Sequence, residues 1–241
     1  MSCDGGREIL KRDVFGTVSR VYRSPGSAGV ACVERDTGAA RWWARALARR
    51  LARREACALE ALARVRAVPR LESWDGHRLR RSWLDGEPLH RARPADPAYF
   101  TAALRLVRHL HAAGVLHNDL AKEPNWLVTP EGRPALVDFQ LASRPRHRGW
   151  RFRMQAYDDL RHLLKHKRTY CPEGLTARQH AILARRSPIA ELWACTGKPL
   201  YRLVTRGILG WSDREGAGDR GTADQGSTVS KSSVGWSPGR K

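Results

Sequence analysis

Short alternating stretches open the chain. Ile9 to Arg12 and Val18 to Tyr22 read as strands, with Gly16 between them, and Ser24-Pro25-Gly26-Ser27 reads as a turn. Gly29 to Arg35 reads as a third strand. The period then changes. Ala44, Leu47, Leu51, Ala58, Leu62 and Val65 recur at helical spacing, which predicts one long helix over Arg41 to Val65. Glu55 falls on the same stripe, and a carboxylate on a buried face requires a cation beside it. Pro69 ends the helical region. Leu71 to Trp74 and His77 to Leu84 follow as two strands around Asp75-Gly76, a hairpin turn signal.

Beyond Asp85-Gly86-Glu87-Pro88, which reads as a hinge, the pattern is mainly helical. A helix is predicted over Pro97 to Ala113, with Ala103, Leu106, Val107 and Leu110 on its apolar face and Gly114 as its stop. An irregular polar loop runs from His117 to Asn125. Trp126 to Val128 and Ala135 to Phe139 read as short strands around Glu131-Gly132. Helical spacing returns from Tyr157 to Lys167, and Thr176-Ala177-Arg178-Gln179 fits a capping box. Ser187-Pro188 opens a further helix, and Tyr201, Val204, Ile208 and Trp211 share a face of the last one. From Ser212 the chain is polar and Gly/Ser-rich, as in a disordered tail. The expected architecture is α+β, with two lobes and a tail: residues 1–86, 87–211 and 212–241.

Composition narrows the classes. With 41% apolar residues among 241, a packed core is expected. No run of 18 apolar residues is present, which excludes an ordinary transmembrane helix, and Met1 to Arg12 lacks the apolar centre of a secretory signal. Lys+Arg 44 against Asp+Glu 24 gives a formal charge of +20, a surface that attracts polyanions. Cys3, Cys32, Cys57, Cys171 and Cys195 are scattered with no C-x-x-C pair, as expected of reduced thiols in a cytosolic protein.

The chemistry-bearing segment is His117-Asn118-Asp119-Leu120-Ala121-Lys122-Glu123-Pro124-Asn125, followed by Leu136-Val137-Asp138-Phe139-Gln140. It resembles the catalytic loop and metal-binding turn of the protein kinase-like superfamily, H-x-D-L…N…D-F-G. The resemblance covers about residues 9 to 170. It implies a small β-rich lobe with one long helix, a mainly helical second lobe, and transfer of the γ-phosphoryl of ATP with Mg²⁺. Asp119 would orient the acceptor hydroxyl and take its proton, Asn125 and Asp138 would hold the metal, and His117 would buttress the loop. Lys122 would meet the transferred phosphate. Gly16 would be the remnant of the phosphate-covering loop, against the alternative of a plain β-turn. Glu55 matches the helix glutamate that pairs with a third-strand lysine.

Three departures from the pattern stand out. No lysine lies between Lys11 and Lys122, so Arg35 is the only third-strand cation to pair Glu55 and touch the nucleotide phosphates. A guanidinium is not an equivalent replacement for an ammonium. Five residues separate Asp119 from Asn125 where kinases usually have four. Gln140 replaces the glycine of D-F-G, which predicts a turn that does not switch. Leu141 to Gln155 is short and basic, with no long activation segment, and Asp158-Asp159 reads as the N-terminal end of a helix that braces the catalytic loop. This trimmed layout is similar to RIO-type kinases and bacterial lipopolysaccharide core kinases. The acceptor is then expected to be a protein Ser/Thr hydroxyl or a lipopolysaccharide or sugar hydroxyl; a nucleotide-binding pseudokinase is the third reading. Arg41-Trp42-Trp43-Ala44-Arg45, and Lys198, Arg202, Arg206 and Trp211 further on, suit an anionic lipid interface, against the alternative of lobe packing with a solvated arginine face. No nucleic-acid motif accompanies the charge. The expected location is cytoplasmic, with peripheral contact at the inner membrane.

Overall fold

The structure, a computed structural model, describes residues 6–22 and 30–185. The turn at 24–27, the helices expected beyond Ser187, the tail, Cys3 and Cys195 lie outside the described residues.

Five antiparallel strands form the first sheet in the order β1-β2-β3-β5-β4. They are β1 (Arg7–Asp13), β2 (Gly16–Tyr22), β3 (Val30–Asp36), β4 (Leu71–Trp74) and β5 (Arg78–Arg81). The β1–β2 hairpin closes through Val14 and Phe15, with Asp13 opposite Gly16 and the Asp13 carboxylate accepting from Phe15 N at 2.8 Å. Gly16 has φ 122°, and an added Cβ would overlap the Asp36 carbonyl oxygen on β3. Its glycine identity is therefore required by strand packing alone.

Strand alternation sorts the side chains of β3. Glu34 points to one face, where it is buried and paired with Arg7 and with Arg80 Nε at 2.7 Å. Arg35 leaves the other face, toward α1 (Arg45–Ala61). Leu79 stands opposite Arg35 and Arg81 opposite Val33, so Arg35, Leu79 and Arg81 share that face.

α1 is shorter than its apolar period suggested. Its flanks, Arg41 to Ala44 and Leu62 to Val65, are hydrogen-bonded turns. Of its expected stripe, Ala44, Ala58 and Leu62 are buried and Val65 partly so, while Leu47 is not. Ala44, Ala48, Ala52, Glu55, Leu59 and Leu62 are buried, whereas Leu47 is exposed. Small alanines let the helix lie close to the sheet, and the larger leucines nearer its start stay outside. Glu55, on the expected stripe, is fully buried.

The second part begins with β6 (Glu87–Pro88), which pairs with β7 (Trp126–Val128), itself paired with β8 (Pro134–Leu136). Around this sheet lie α2 (Leu89–Ala92), α3 (Pro97–Ala112), α4 (Trp150–Tyr170) and α5 (Ala177–Ala184). Asp96 caps α3, with proline at the first helical position, and Thr176 with Gln179 forms the expected capping box on α5. α4 starts at Trp150, well before the expected Tyr157, because the basic run before it continues the same helix.

One core joins the two parts. Leu59, Leu62 and Val68 from the α1 side pack with Leu106, Leu110, Leu120, Trp126, Leu136 and Phe139. Each fully buried leucine contributes about 1.5–3 kcal/mol. Leu136 N also donates to Ala67 O at 2.9 Å, so the segment after α1 is seated against the strand that leads into Asp138. The architecture is α+β and two-lobed, an antiparallel sheet with one long helix followed by a mainly helical part.

Replacing Gly16 with alanine is expected to destabilise the fold by about 1–3 kcal/mol, since it combines forbidden φ with backbone overlap. Urea unfolding of Gly16→Ala against wild type measures this; equal midpoints would contradict it.

Candidate active site

Two structures meet at the site: the loop after α3 and the turn after β8. The loop is held from α4. Asp159 Oδ2 accepts from His117 N and Oδ1 from Asn118 N, both at 3.0 Å, and His111 Nε2 lies 3.1 Å from Oδ2. Asp159 lies in the third turn of α4, not at its N-terminal end as expected; the longer helix carries it inward to the loop. Asn118 has φ 63°, a conformation asparagine tolerates. Its Nδ2 donates to Leu141 O and Ser143 Oγ at 3.0 and 2.9 Å.

His117 is fully buried and donates from Nε2 to Val137 O at 3.1 Å, one residue before Asp138. Its ring lies 4.6 Å from that of Phe139. The loop and the turn are thus fastened together beside both aspartates. Burial pushes the His117 imidazole below its ordinary value of 6.5, against the opposing pull of the Asp159, Asp119 and Asp138 carboxylates. His166 is also pushed down by burial; its Nε2 donates to Leu120 O at 2.8 Å.

Asn125 sits against Asp119 despite the extra residue between them. A short 3-10 turn over Glu123–Asn125 takes up the added length. Asn125 Nδ2 donates to Asp119 O at 2.9 Å and to Asp119 Oδ2 at 3.1 Å. Its backbone carbonyl accepts from Val137 N at 3.0 Å, next to Asp138. A continuous chain of contacts therefore runs from Asp119 through Asn125 to the Asp138 turn. Lys122 Nζ lies 3.0 Å from Asp119 Oδ2, on the exposed side.

Asp138 is joined to the first lobe by Arg35. The guanidinium reaches Glu55 Oε2 at 3.4 Å, Asp138 Oδ1 at 3.6 Å and Gln140 Oε1 at 3.0 Å. Only the contact to Gln140 has hydrogen-bond geometry; the two carboxylate contacts are ion pairs. Gln140 Nε2 donates weakly to Asp138 Oδ2 at 3.4 Å. Positive φ falls on Asp138 at 63°, while Phe139–Leu141 is a 3-10 turn, so Gln140 meets no backbone conflict.

Two functional neighbours escaped the sequence reading. Arg81 Nε lies 3.1 Å from Glu55 Oε1, a second guanidinium on the fully buried carboxylate. The signal was present: Arg81 follows Leu79 by two on the core face of β5. Arg54 donates to Leu141 O and Ala142 O, both at 3.0 Å, and binds α1 to the segment after the turn. That contact depends on tertiary packing, which no spacing reveals. Gly16 makes its close approach to Asp36 in the hairpin, as described above, and makes no contact with the Asp119–Glu55 chain among the described residues.

Among the described residues, no three His, Cys, Asp or Glu side chains gather as a ready-made metal cage. Magnesium carried on nucleotide phosphates needs only one or two protein oxygens, the rest coming from phosphate and water. The donor set fits that need. Asp138 Oδ1 is buried with no hydrogen bond and only the ion pair to Arg35 at 3.6 Å, and Asn125 Oδ1 accepts none from the described residues.

The depressed histidines give the fold an acid limit. Above pH 6.5 both imidazoles are neutral whether the chain is folded or not. Below it the unfolded chain takes up protons that the folded one refuses, so stability falls with pH until the lowered folded values are passed. Tm should drop through this window, and His166→Gln, which still donates an N–H, should flatten part of the slope. A Tm independent of pH between neutrality and the acid side would contradict the burial of these rings.

No protein-family model matches the sequence. Among solved structures, the chain is similar to the Rio2 kinase from Chaetomium thermophilum, with 16% identity and a TM-score of 0.51 over 68% of this chain. The match covers 58% of that chain, so this protein spans less than two thirds of its length. At that identity the likeness is one of fold, and with the topology above it shows that the chain adopts a protein kinase-like fold.

Proposed function

We propose that the protein is a phosphotransferase that uses Mg-ATP and an alcohol acceptor. The observation that carries this reading is that Asn125 hydrogen-bonds Asp119 through its side chain and Val137 N through its carbonyl, while Asp138, the next residue, is ion-paired to Arg35 and Arg35 to Glu55, so that residues from four separate stretches form one cluster. Phosphoryl transfer asks for positioned charge more than for covalent chemistry, and the cluster supplies charge of both signs.

Each side chain has a task in this reading. Asp119 orients the acceptor hydroxyl and receives its proton. The amide nitrogen of Asn125 holds the Asp119 carboxylate in place, and its oxygen would be one of the metal's ligands. Asp138 supplies the second oxygen there. Bound Mg²⁺ supplies charge neutralisation on the nucleotide phosphates. Arg35 presents a cation to those phosphates, held by Glu55 and Gln140; Lys122, beside Asp119, meets the phosphoryl group in transfer. Gly16 places its hairpin over the nucleotide. A protein Ser/Thr hydroxyl is the first acceptor class, and a lipopolysaccharide-core or sugar hydroxyl the second.

One observation favours a rival reading. Asp138 and Asp119 are already ion-paired, to Arg35 and Lys122 respectively. A cluster that satisfies its own charges suits a pseudokinase that binds nucleotide without turnover.

The deciding experiment incubates the full chain with γ-labelled ATP and Mg²⁺, in one arm with a protein mixture and in another with purified lipid A–core. Label transfer is expected in one arm. Asp119→Asn should lower it by about 10²–10⁴-fold, the usual worth of a positioned base, with the Mg-ATP thermal shift unchanged. Asp138→Asn should abolish the Mg²⁺-dependent part of that shift. Nucleotide binding with no transfer in either arm would favour the pseudokinase, and undiminished transfer by Asp119→Asn would remove the proposed role of Asp119.

A further inference from the structure

The turn before α1 breaks the ordinary rule for soluble surfaces. Trp42 is 83% exposed, Trp43 45% and Leu47 48%. These are large apolar side chains, adjacent in sequence or one helical turn apart, and an exposed apolar cluster calls for an explanation. The exposure is imposed by the fold. Ala40 and Ala44 on either side are buried, Arg41 N donates to Val14 O at 3.1 Å, and Ala44 N donates to Arg41 O at 2.9 Å. The tryptophans are therefore held outward on a fixed turn.

Every charged residue from Arg41 to Arg54 is an arginine. Arg41, Arg45 and Arg50 are exposed and form no ion pair among the described residues. The first turn of α1 carries no acidic residue, and Ala44 gives the helix no side-chain cap. Cations at a helix N-terminus oppose the backbone dipole, so this arrangement costs the fold stability. A local rule broken on both counts, apolar exposure and charge sign, marks a surface built for something outside the fold.

We propose that this patch docks the protein on an anionic lipid bilayer. Tryptophan and leucine enter the headgroup boundary while the arginines meet lipid phosphates, the usual division of an interfacial element. Nucleic acid would use the arginines and could stack on the tryptophans, but Leu47 has no aromatic face to offer a base. Among the described residues no helix is long and apolar enough to cross a membrane, so the contact is peripheral. Leu47 lies eight residues before Glu55 on the same helix, about 12 Å along its axis. The docking surface thus sits on the element that positions Arg35. The inference goes beyond the phosphotransfer reading and does not require it.

The test uses the full chain without nucleotide. Co-sedimentation is measured with vesicles of phosphatidylglycerol and phosphatidylcholine and with vesicles of phosphatidylcholine alone. Binding is expected only to the first, and Trp42→Ala/Trp43→Ala should lose it. Arg45→Glu should weaken it by roughly fivefold or more, with Tm unchanged or raised, because an acidic residue suits that helix end. Arg133→Glu, on the β7–β8 hairpin, makes the same change in net charge and should leave binding intact. Equal loss in both charge variants would mean diffuse attraction by the net charge and would overturn the patch. So would binding that survives the tryptophan pair, no binding at all, or preferential capture by an RNA oligonucleotide in competition. A dimer that the tryptophan variant dissolves would show that a second copy covers the patch instead. Asp119→Asn should bind vesicles as wild type does, so failure here and failure of phosphotransfer are separate results.

Discussion

A carboxylate buried without water has to be matched by positive charge, and the placement of Glu55 organises most of this molecule. Removing a charge from water costs several kcal/mol unless a partner is present. Here two guanidiniums answer it. Arg35 comes from β3 and Arg81 from β5, each reaching a different oxygen of the same side chain. The sheet, the helix and the Asp138 turn are fixed relative to one another by this one requirement. If α1 rotated by a single residue, Glu55 would leave both arginines and two nearly buried cations would be left without a counter-charge.

The other half of the site is built from hydrogen bonds to backbone groups, made by the Asp159 carboxylate, the Arg54 guanidinium and neutral side chains. Asp159 accepts from two consecutive backbone N–H groups, which fixes the start of the loop after α3. His117 then passes that order to the turn through Val137. Arg54 clamps Leu141 and Ala142 from the helix side, while Asn118 holds Leu141 and Ser143 from the loop side. A segment held from two directions has little freedom to swing. Rigidity here comes from these clamps, more than from any backbone restriction at Gln140.

The sequence made some of this legible and concealed the rest for physical reasons. Glu55 stood out because a charge on an apolar stripe is costly, and that cost can be read without coordinates. The strands and the capping box at Thr176 follow from period and turn chemistry. The apolar period of α1 locates Ala44, Ala58 and Leu62 inside but fails at Leu47; close approach to a sheet favours the small residue, so Ala48 and Ala52 are inside and Leu47 is out. The start of α4 was missed because Arg and His at 146–153 carry no apolar period. Arg81 could have been found from alternation on β5. Arg54 could not, since its contact depends on how separate elements pack; the bracing role of Asp159 was legible, and only its depth within α4 was not.

Arginine at position 35 and glutamine at position 140 make sense as a pair. An ammonium offers three donors on a flexible stem, whereas a guanidinium offers a planar fork of five. Two carboxylates reached only as ion pairs leave part of that fork without an acceptor. Gln140 Oε1 provides one at 3.0 Å, and its amide turns back toward Asp138. A glycine there would leave an N–H of a mostly buried cation unsatisfied, a loss of about 1–3 kcal/mol. The bulkier cation and the larger turn residue thus compensate each other, and the two departures from the kinase pattern become one adaptation. The same pairing ties the first-lobe cation to the turn that carries Asp138, so in the proposed reading an anion met by Arg35 is coupled directly to Asp138.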